Sequence, residues 1–467
     1  MSGEVRLAEL SRIPAAVELL VEAGQDAPAA ASKAKRLVRC ARALSAAGAD
    51  GEAPAIALFV PGRIEVLGKH TDYAGGRSII AAVEQGFCLV AAVRDDPVVA
   101  AIALDLGDRC AFELSAELEP MVGHWSNYPM TVARRIARNF PGPLRGANIA
   151  FTSDLPIAAG MSSSSALMVA VFLALSQINS LPRREEYRRE VSTPEDLAGY
   201  LGTVENGQSF GGLSGDKGVG TFGGSEDHVA MLCSRAGMLA QYSYCPVRLE
   251  RRIEMPAGFL FAVAASGVAA EKTGEAMARY NRASRLASSV TEVWNRASGR
   301  DDPHIAAALA SDEPAKAAER IREALADRSA DETPSPEQLL GRFEHFFVEN
   351  EQIIPAAGDA LAAGADGLAE FGRLVDRSQE AAETLLGNQV PQTCFLARTA
   401  RSLGAAAASG FGAGFGGSVW ALVHRDRADA LLAEWARRYG EAFPAEGASS
   451  SFFLTRCGPA SFRLGSV

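Results

Sequence analysis

Gly62-Arg63-Ile64-Glu65-Val66-Leu67-Gly68-Lys69-His70-Thr71-Asp72-Tyr73-Ala74-Gly75-Gly76 is the stretch on which the reading of this chain turns. Arg63, Glu65, Lys69, His70 and Asp72 fall within ten residues, between glycines that let the backbone turn tightly. His70 and Asp72 lie two apart, so an extended segment would direct both to one side. A cation, an imidazole and a carboxylate on one loop suit a polyhydroxylated ligand, which needs donors and acceptors together. The same composition also suits a polar surface loop closed by an Arg–Asp ion pair. Just upstream, the apolar run Ala55–Val60 halts at Pro61-Gly62, which predicts a buried strand meeting a loop.

Three further glycine clusters lie downstream. Pro156-Ile157-Ala158-Ala159-Gly160-Met161-Ser162-Ser163-Ser164-Ser165-Ala166 joins the strand-like run Ala147–Thr152 to an apolar helical run, Leu167–Ile178. Amides at a helix start point outward with partial positive charge and bind phosphate, and serine hydroxyls add donors or an oxygen for Mg²⁺. An elaborate helix cap is the plainer alternative, although four consecutive serines exceed what one cap needs. Gly220–Asp227, with His228 after it, places a carboxylate behind a glycine turn, where it can act as a base or an anchor. The last cluster, Ser409–Gly417, has glycine at five of nine positions and lets backbone approach a ligand or another loop closely.

The 467 residues carry 46 basic and 56 acidic side chains, a formal charge of −10, with 48% hydrophobic residues. That is a globular composition with enough apolar material for a full core and a length that suits two or three domains. The acidic balance argues against a nucleic-acid surface, which needs clustered Lys and Arg. Only six histidines leave little room for a His-rich metal site. The seven cysteines are dispersed without a CxxC pair, the start MSGEVRLAEL does not read as a secretory signal, and the longest apolar run, Phe259–Ala270, is too short to span a bilayer. The expectation is a cytoplasmic protein that partners neither membranes nor nucleic acids.

Residues 1–50 carry helical apolar spacing and read as a lead-in. Strand-like runs recur at Ile79–Val93, Phe259–Ala265 and Ser418–Val423, and helical segments at Glu271–Ser289, Asp302–Asp327 and Ser335–Glu349. Gly207–Gly224 contains eight glycines among eighteen residues and reads as a flexible insertion, either a lid or a tolerated surface loop. The irregular mixture favours an α+β enzyme of two domains, divided at 51–250 and 251–467.

Taken in order, the four clusters resemble the GHMP kinases, and within them the galactokinases. Arg63, Gly68, His70, Thr71, Asp72, Tyr73 and Gly76 match the galactokinase signature G-R-x-N-x-x-G-E-H-T-D-Y-x-x-G. Pro156 to Ser164 resembles the P-x-x-x-G-[LM]-S-S-S motif, Gly224–Asp227 a Gly-x-x-Asp motif, and Phe411–Gly417 the third glycine motif. Trp125-Ser126-Asn127-Tyr128 is similar to a W-x-N-Y stretch, and Tyr280-Asn281-Arg282 to a Y-N-x-R element. The resemblance implies two α+β domains with the site in the cleft between them, and an ATP-dependent sugar 1-kinase, galactose being the first substrate to expect. It implies Asp227 as the catalytic carboxylate with Arg63 holding it. Lys69, His70, Asp72, Gly224 and Tyr280 would meet the sugar; Trp125, Tyr128, Gly160, Ser162, Ser163 and Ser164 the nucleotide; Ser163 and Glu205 a Mg²⁺ ion. Ligands would be a small sugar and ATP.

Two positions depart from the pattern: Glu65 stands where the family has asparagine, and Lys69 where it has glutamate. Lysine has donors, no acceptor and the opposite charge. Lys69 would then donate to the same sugar hydroxyl, pair with Glu65 or Glu84 away from the sugar, or meet an anionic group such as a uronic acid carboxylate. Galacturonate, arabinose and fucose are therefore alternative substrates. A non-catalytic sugar- and ATP-binding regulator is the rival of another class, although such a protein need not keep Asp227, Arg63 and the serine loop together. His228, where the family has glutamine, suits a structural role as well as one tuning Asp227.

Overall fold

The Pro61-Gly62 pair does not end the first strand. The computed structural model describes residues 5–22, 27–156, 160–268, 274–329 and 331–464, and in it β1 (Ala55–Leu67) runs straight through the pair. It pairs antiparallel with β2 (Arg77–Val93), and the register shifts between Pro61 and Arg63. A bulge explains this: proline has no N–H to give a ladder, and a bulge absorbs the irregularity without stopping the strand. Opposite it, Gly86 has to be glycine, because a Cβ there would lie 2.2 Å from the Val60 carbonyl oxygen. Arg63 and Glu65 therefore sit on a strand, two apart, rather than on a loop.

The first sheet adds β3 (Val98–Ala103), β4 (Asp108–Glu113), β5 (Ala147–Ser153), β6 (Met238–Ser243) and β7 (Arg248–Glu254). The C-terminal β12 (Phe462–Arg463) returns to pair with β1, giving the order β12-β1-β2-β5-β3-β4, with β6 on β2 and β7 on β6. The second sheet has the order β11-β8-β10-β9, from β8 (Phe259–Ala265), β9 (Ala407–Phe411), β10 (Ser418–His424) and β11 (Ser451–Thr455). The first sheet runs past residue 250 to Glu254 and also takes in a strand from the far C-terminus. The halves share one core, in which Phe261 and Trp420 of the second sheet join Leu58 and Val60 of the first.

The lead-in forms helices Leu7–Leu10, Ile13–Glu22 and Ala27–Ala46, whose Leu37, Val38, Ala41 and Leu44 cover Phe59, Cys88 and Val90 on one face of the first sheet. Against the other face packs helix Ser163–Ile178, apolar on nearly every side and buried along most of its length. The expected helix over 302–327 is two helices, Ile305–Leu309 and Pro314–Ala326, because Pro314 can start a helix but not continue one. No helix among the described residues is long and apolar enough to cross a membrane, and the seven cysteines are unbridged.

Candidate active site

Strand, loop and helix residues meet at one cavity, lined by Arg63, Glu65, His70, Asp72, Glu205, Gly223, Gly224, Glu226, Asp227, Tyr280, Gly412 and Ala413. Residues expected at a carboxylate anchor and at a sugar thus come together from six separate segments. The centre is an ion pair: Arg63 Nε donates to Asp227 Oδ1 at 2.7 Å, and Arg63 Nη1 donates to the Gly160 carbonyl at 2.6 Å. Arg63 is 4% exposed. Burial alone would lower its pKa, but Asp227, Glu226 and Glu65 outweigh that and raise it, so the guanidinium stays charged. The Arg63–Gly160 bond ties β1 to the start of the serine loop; Ile157–Ala159 of that loop lie outside the described residues.

Helix Ser163–Ile178 begins directly after Ser162, whose φ of 58° is left-handed and whose side chain makes no cap bond. The serines are therefore not simply a cap. Ser163 and Ser164 are partly exposed at the helix N-terminus, while Ser165 is buried. Ser165 Oγ lies 2.7 Å from Glu205 Oε2 and 3.3 Å from Asp227 Oδ2, bridging the two carboxylates. Ser165, the fourth serine of the loop, is given no role by the resemblance because it stands one residue past the Pro156–Ser164 motif. Glu205 lies near the end of helix Pro194–Asn206, opposite the serines, 5% exposed.

On the opposite side, the signature loop is clasped from below and beside. His70 Nε2 lies 3.0 Å from the Ala413 carbonyl and must donate to it, so Nδ1 accepts from Tyr73 Oη at 2.8 Å. Both ring nitrogens thus have protein partners, and the ring itself faces Tyr280 at 5.0 Å between centroids. Tyr73 is pushed up to about 12, chiefly by burial, so it remains a donor. Beneath the loop, Arg342 donates to the His70 carbonyl and to Tyr73 Oη. It comes from helix Pro336–Phe347, whose start is capped by Ser335, and nothing in its sequence surroundings marks it out.

Asp72 is held by the Tyr73 amide at 2.8 Å and the Glu226 amide at 3.2 Å. Gly224 makes that approach possible: a Cβ there would sit 2.4 Å from Asp72 Oδ2. Gly207–Gly224 is not a free flap. Arg135 donates to the Gln208 and Ser214 carbonyls, Asn139 to Ser214, and Asn127 to Val219, while Arg134 pairs with Asp216 at 2.6 Å. Asn281 fixes the far end, donating to the Gly220 carbonyl and accepting from the Phe222 amide. Its neighbour Tyr280 was the residue singled out from sequence, whereas the loop anchor is Asn281.

Other expected residues lie elsewhere. Lys69 is fully buried and off the cavity wall, with Nζ 2.9 Å from Ser409 Oγ and 3.4 Å from Ser378 Oγ. Ser378 in turn donates to Glu349 Oε1 at 3.0 Å, and Glu349 also accepts from the Gly68 amide at 2.9 Å. Glu84 pairs with Arg456 instead. Trp125 donates from Nε1 to Asp108 at 2.7 Å and packs edge-on to Phe151; it and Tyr128, like Gly160, Ser162, Ser163 and Ser164, are outside the cavity lining. His228 is buried with Nε2 3.3 Å from Glu205.

Residues 127–212 match the family described as GHMP kinases N terminal domain, residues 360–442 GHMP kinases C terminal, and residues 48–94 the galactokinase galactose-binding signature. A galactokinase from Roseiflexus sp. (strain RS-1) is 28% identical over 408 residues, covering 86% of this chain and 91% of its own. One from Glaesserella parasuis serovar 5 (strain SH0165) is 27% identical over 386 residues, 82% of this chain and 88% of its own. The crystal structure of Lactococcus lactis galactokinase, solved with galactose, superposes with a TM-score of 0.68 at 21% identity, over 87% of this chain and 95% of that one. With these three segments matched in order, the chain carries the GHMP kinase N- and C-terminal domains together with the galactokinase galactose-binding signature.

Proposed function

We propose that this chain is an ATP-dependent sugar kinase that moves the γ-phosphoryl group of ATP to the anomeric hydroxyl of galactose or a close relative of it. The observation that carries the reading is the Arg63–Asp227 pair, bridged through Ser165 to Glu205 at the head of helix Ser163–Ile178. Phosphoryl transfer asks a protein for positioning and charge compensation more than for covalent chemistry. Asp227 is placed to accept the proton of the attacking hydroxyl. Arg63 holds that carboxylate and adds positive charge where negative charge builds up. The amides of Ser163 and Ser164 supply donors for nucleotide phosphates.

Glu205 and the neighbouring serine hydroxyls are hard oxygen donors and few in number, which fits Mg²⁺, an ion that takes one or two protein ligands and completes its shell with phosphates and water. Bound there, Mg²⁺ would neutralise phosphate charge. Ser163 is the hydroxyl we assign with Glu205 to hold it, and Ser165 is the residue that orients Glu205. On the sugar side, Asp72, Gly224 and Tyr280 shape the wall that sugar hydroxyls would meet. Trp125 and Tyr128 we assign to the nucleotide base, and the cytoplasm as the compartment.

ADP release measured with galactose, galacturonate, arabinose and fucose tests the reading. Turnover of a neutral galactose-like sugar is expected, since the cation that favoured a uronic acid in the sequence is buried away from the cavity wall. Turnover of none of these sugars refutes the sugar-kinase reading, and turnover of galacturonate alone restores a role for Lys69 at the substrate.

A further inference from the structure

Five carboxyl groups face this cavity, and their hydrogen bonds divide them in two. Asp72 is held by two backbone amides, Glu205 by Ser165, and Asp227 by Arg63 and Ser165. Glu65 and Glu226 are different. Glu65 is 4% exposed and its Oε1 has no hydrogen-bond partner, although the residue lines the cavity. Glu226 is 5% exposed and ion-paired with Arg63, whose Nε stands 3.7 Å from its Oε1, beyond hydrogen-bond reach. A buried carboxyl left without a donor is costly, so it calls for a ligand that brings one.

Resting on the kinase reading above, we propose that Glu65 and Glu226 form a receptor for a protonated amino group on the sugar, and that the preferred substrate is an aminohexose with a free amine. An ammonium offers three donors and no acceptor, and its charge would add to the one that Arg63 already brings to these two buried carboxyls. A neutral hydroxyl brings one donor with lone pairs of its own, and an acylated amine brings a carbonyl acceptor and no charge. Arg63 brings charge to both glutamates, but its Nε hydrogen bond goes to Asp227 and its Nη1 bond to Gly160. Burial raises the pKa of Glu65 to about 7, and raises that of Glu226 well above the usual carboxylate range with Glu65 and Asp72 adding to it. Both groups therefore have unspent capacity to become charged when a cation arrives.

The test compares kcat/KM for galactosamine, galactose and N-acetylgalactosamine in the intact enzyme with Mg·ATP, and calorimetric binding of the same three sugars. Galactosamine should exceed galactose by about tenfold or more, since hydrogen bonds from a charged donor are about twice as strong as those from a hydroxyl. Glu65→Gln, and separately Glu226→Gln, should lower the galactosamine-to-galactose ratio by about tenfold, with the melting temperature reporting that each variant folds. Equal or better use of galactose by the unmodified enzyme overturns the proposal while leaving the kinase reading intact. A ratio unmoved in both variants overturns it too. Failure of all three sugars to bind or turn over removes the kinase reading and this proposal with it.

Discussion

The burial of Lys69 gives a test that needs no knowledge of the substrate. Its ammonium is 0% exposed, held by Ser409 and Ser378, and one serine away stands Glu349, also 0% exposed. Glu349 in turn fixes the Gly68 amide at the base of the signature loop. Lys69→Met removes the cation and leaves the carboxylate buried with only an amide and a hydroxyl. Breaking a buried charge arrangement from one side costs about 3–5 kcal/mol, whereas replacing both charges by neutral groups is often close to neutral. Glu349→Gln alone should be similarly damaging, and the Lys69→Met/Glu349→Gln double variant should recover at least about 2 kcal/mol relative to the sum of the singles. Urea unfolding of the four proteins followed by fluorescence measures this, since the variants share their m-value if only stability changes. Single variants within 1 kcal/mol of the parent, or strict additivity in the double, would refute the reasoning.

Asp227→Ala should keep nucleotide binding and lose at least about 10²–10³ in turnover, read by nucleotide titration beside ADP release; a normal rate would remove Asp227 from the chemistry. Asn281→Ala frees both ends of the Gly220–Phe222 turn, and two lost bonds of about 1 kcal/mol each should raise the sugar KM some tenfold with a smaller effect on the KM for ATP. Glu65 holds a proton up to about pH 7 in the folded protein, whereas its ordinary value is 4.5. The native state therefore binds more protons than the unfolded chain between those values, and stability falls as pH rises through that window. Glu65→Gln should flatten that part of the profile and melt higher than the parent at pH 8, and a parallel pair of Tm–pH curves would count against it.

What the sequence disclosed depended on how local the cause was. Phe259–Ala265 and the strand beginning at Ser418 are apolar runs bounded by turn residues, and they fold where they read. Arg63 and Asp227 stand out because a charged residue within three positions of a glycine is a local feature. The bulge at Pro61 was illegible because the residue that makes it possible is Gly86, across the sheet. Gly207–Gly224 looked loose because glycines advertise freedom, while the side chains that remove it, Arg134, Arg135 and Asn139, belong to a helix some 70 residues earlier. Lys69 was open among three readings for the same reason, since its partners are 309 and 340 residues away.

The two departures from the galactokinase pattern are better understood as one change than as two. By resemblance the family carries a neutral side chain at position 65 and a carboxylate at 69; this chain carries a carboxylate at 65 and a cation at 69. In the fold, the cation lies behind the cavity, near Glu349, while the carboxylate stands on β1 with Arg63 two residues before it. A carboxylate still faces the ligand space, but from the strand rather than the loop, and the lysine charge is spent on joining the loop to the other half of the molecule. The exchange constrains reversion. Lys69→Glu alone would bury a second carboxylate in the network that holds Glu349, with no cation for either, so its failure would report on folding and not on specificity. Glu65→Asn alone would leave the hydrogen bonds of Lys69 in place and remove one buried carboxyl from the cavity wall. Only the second substitution asks a clean question of the sugar.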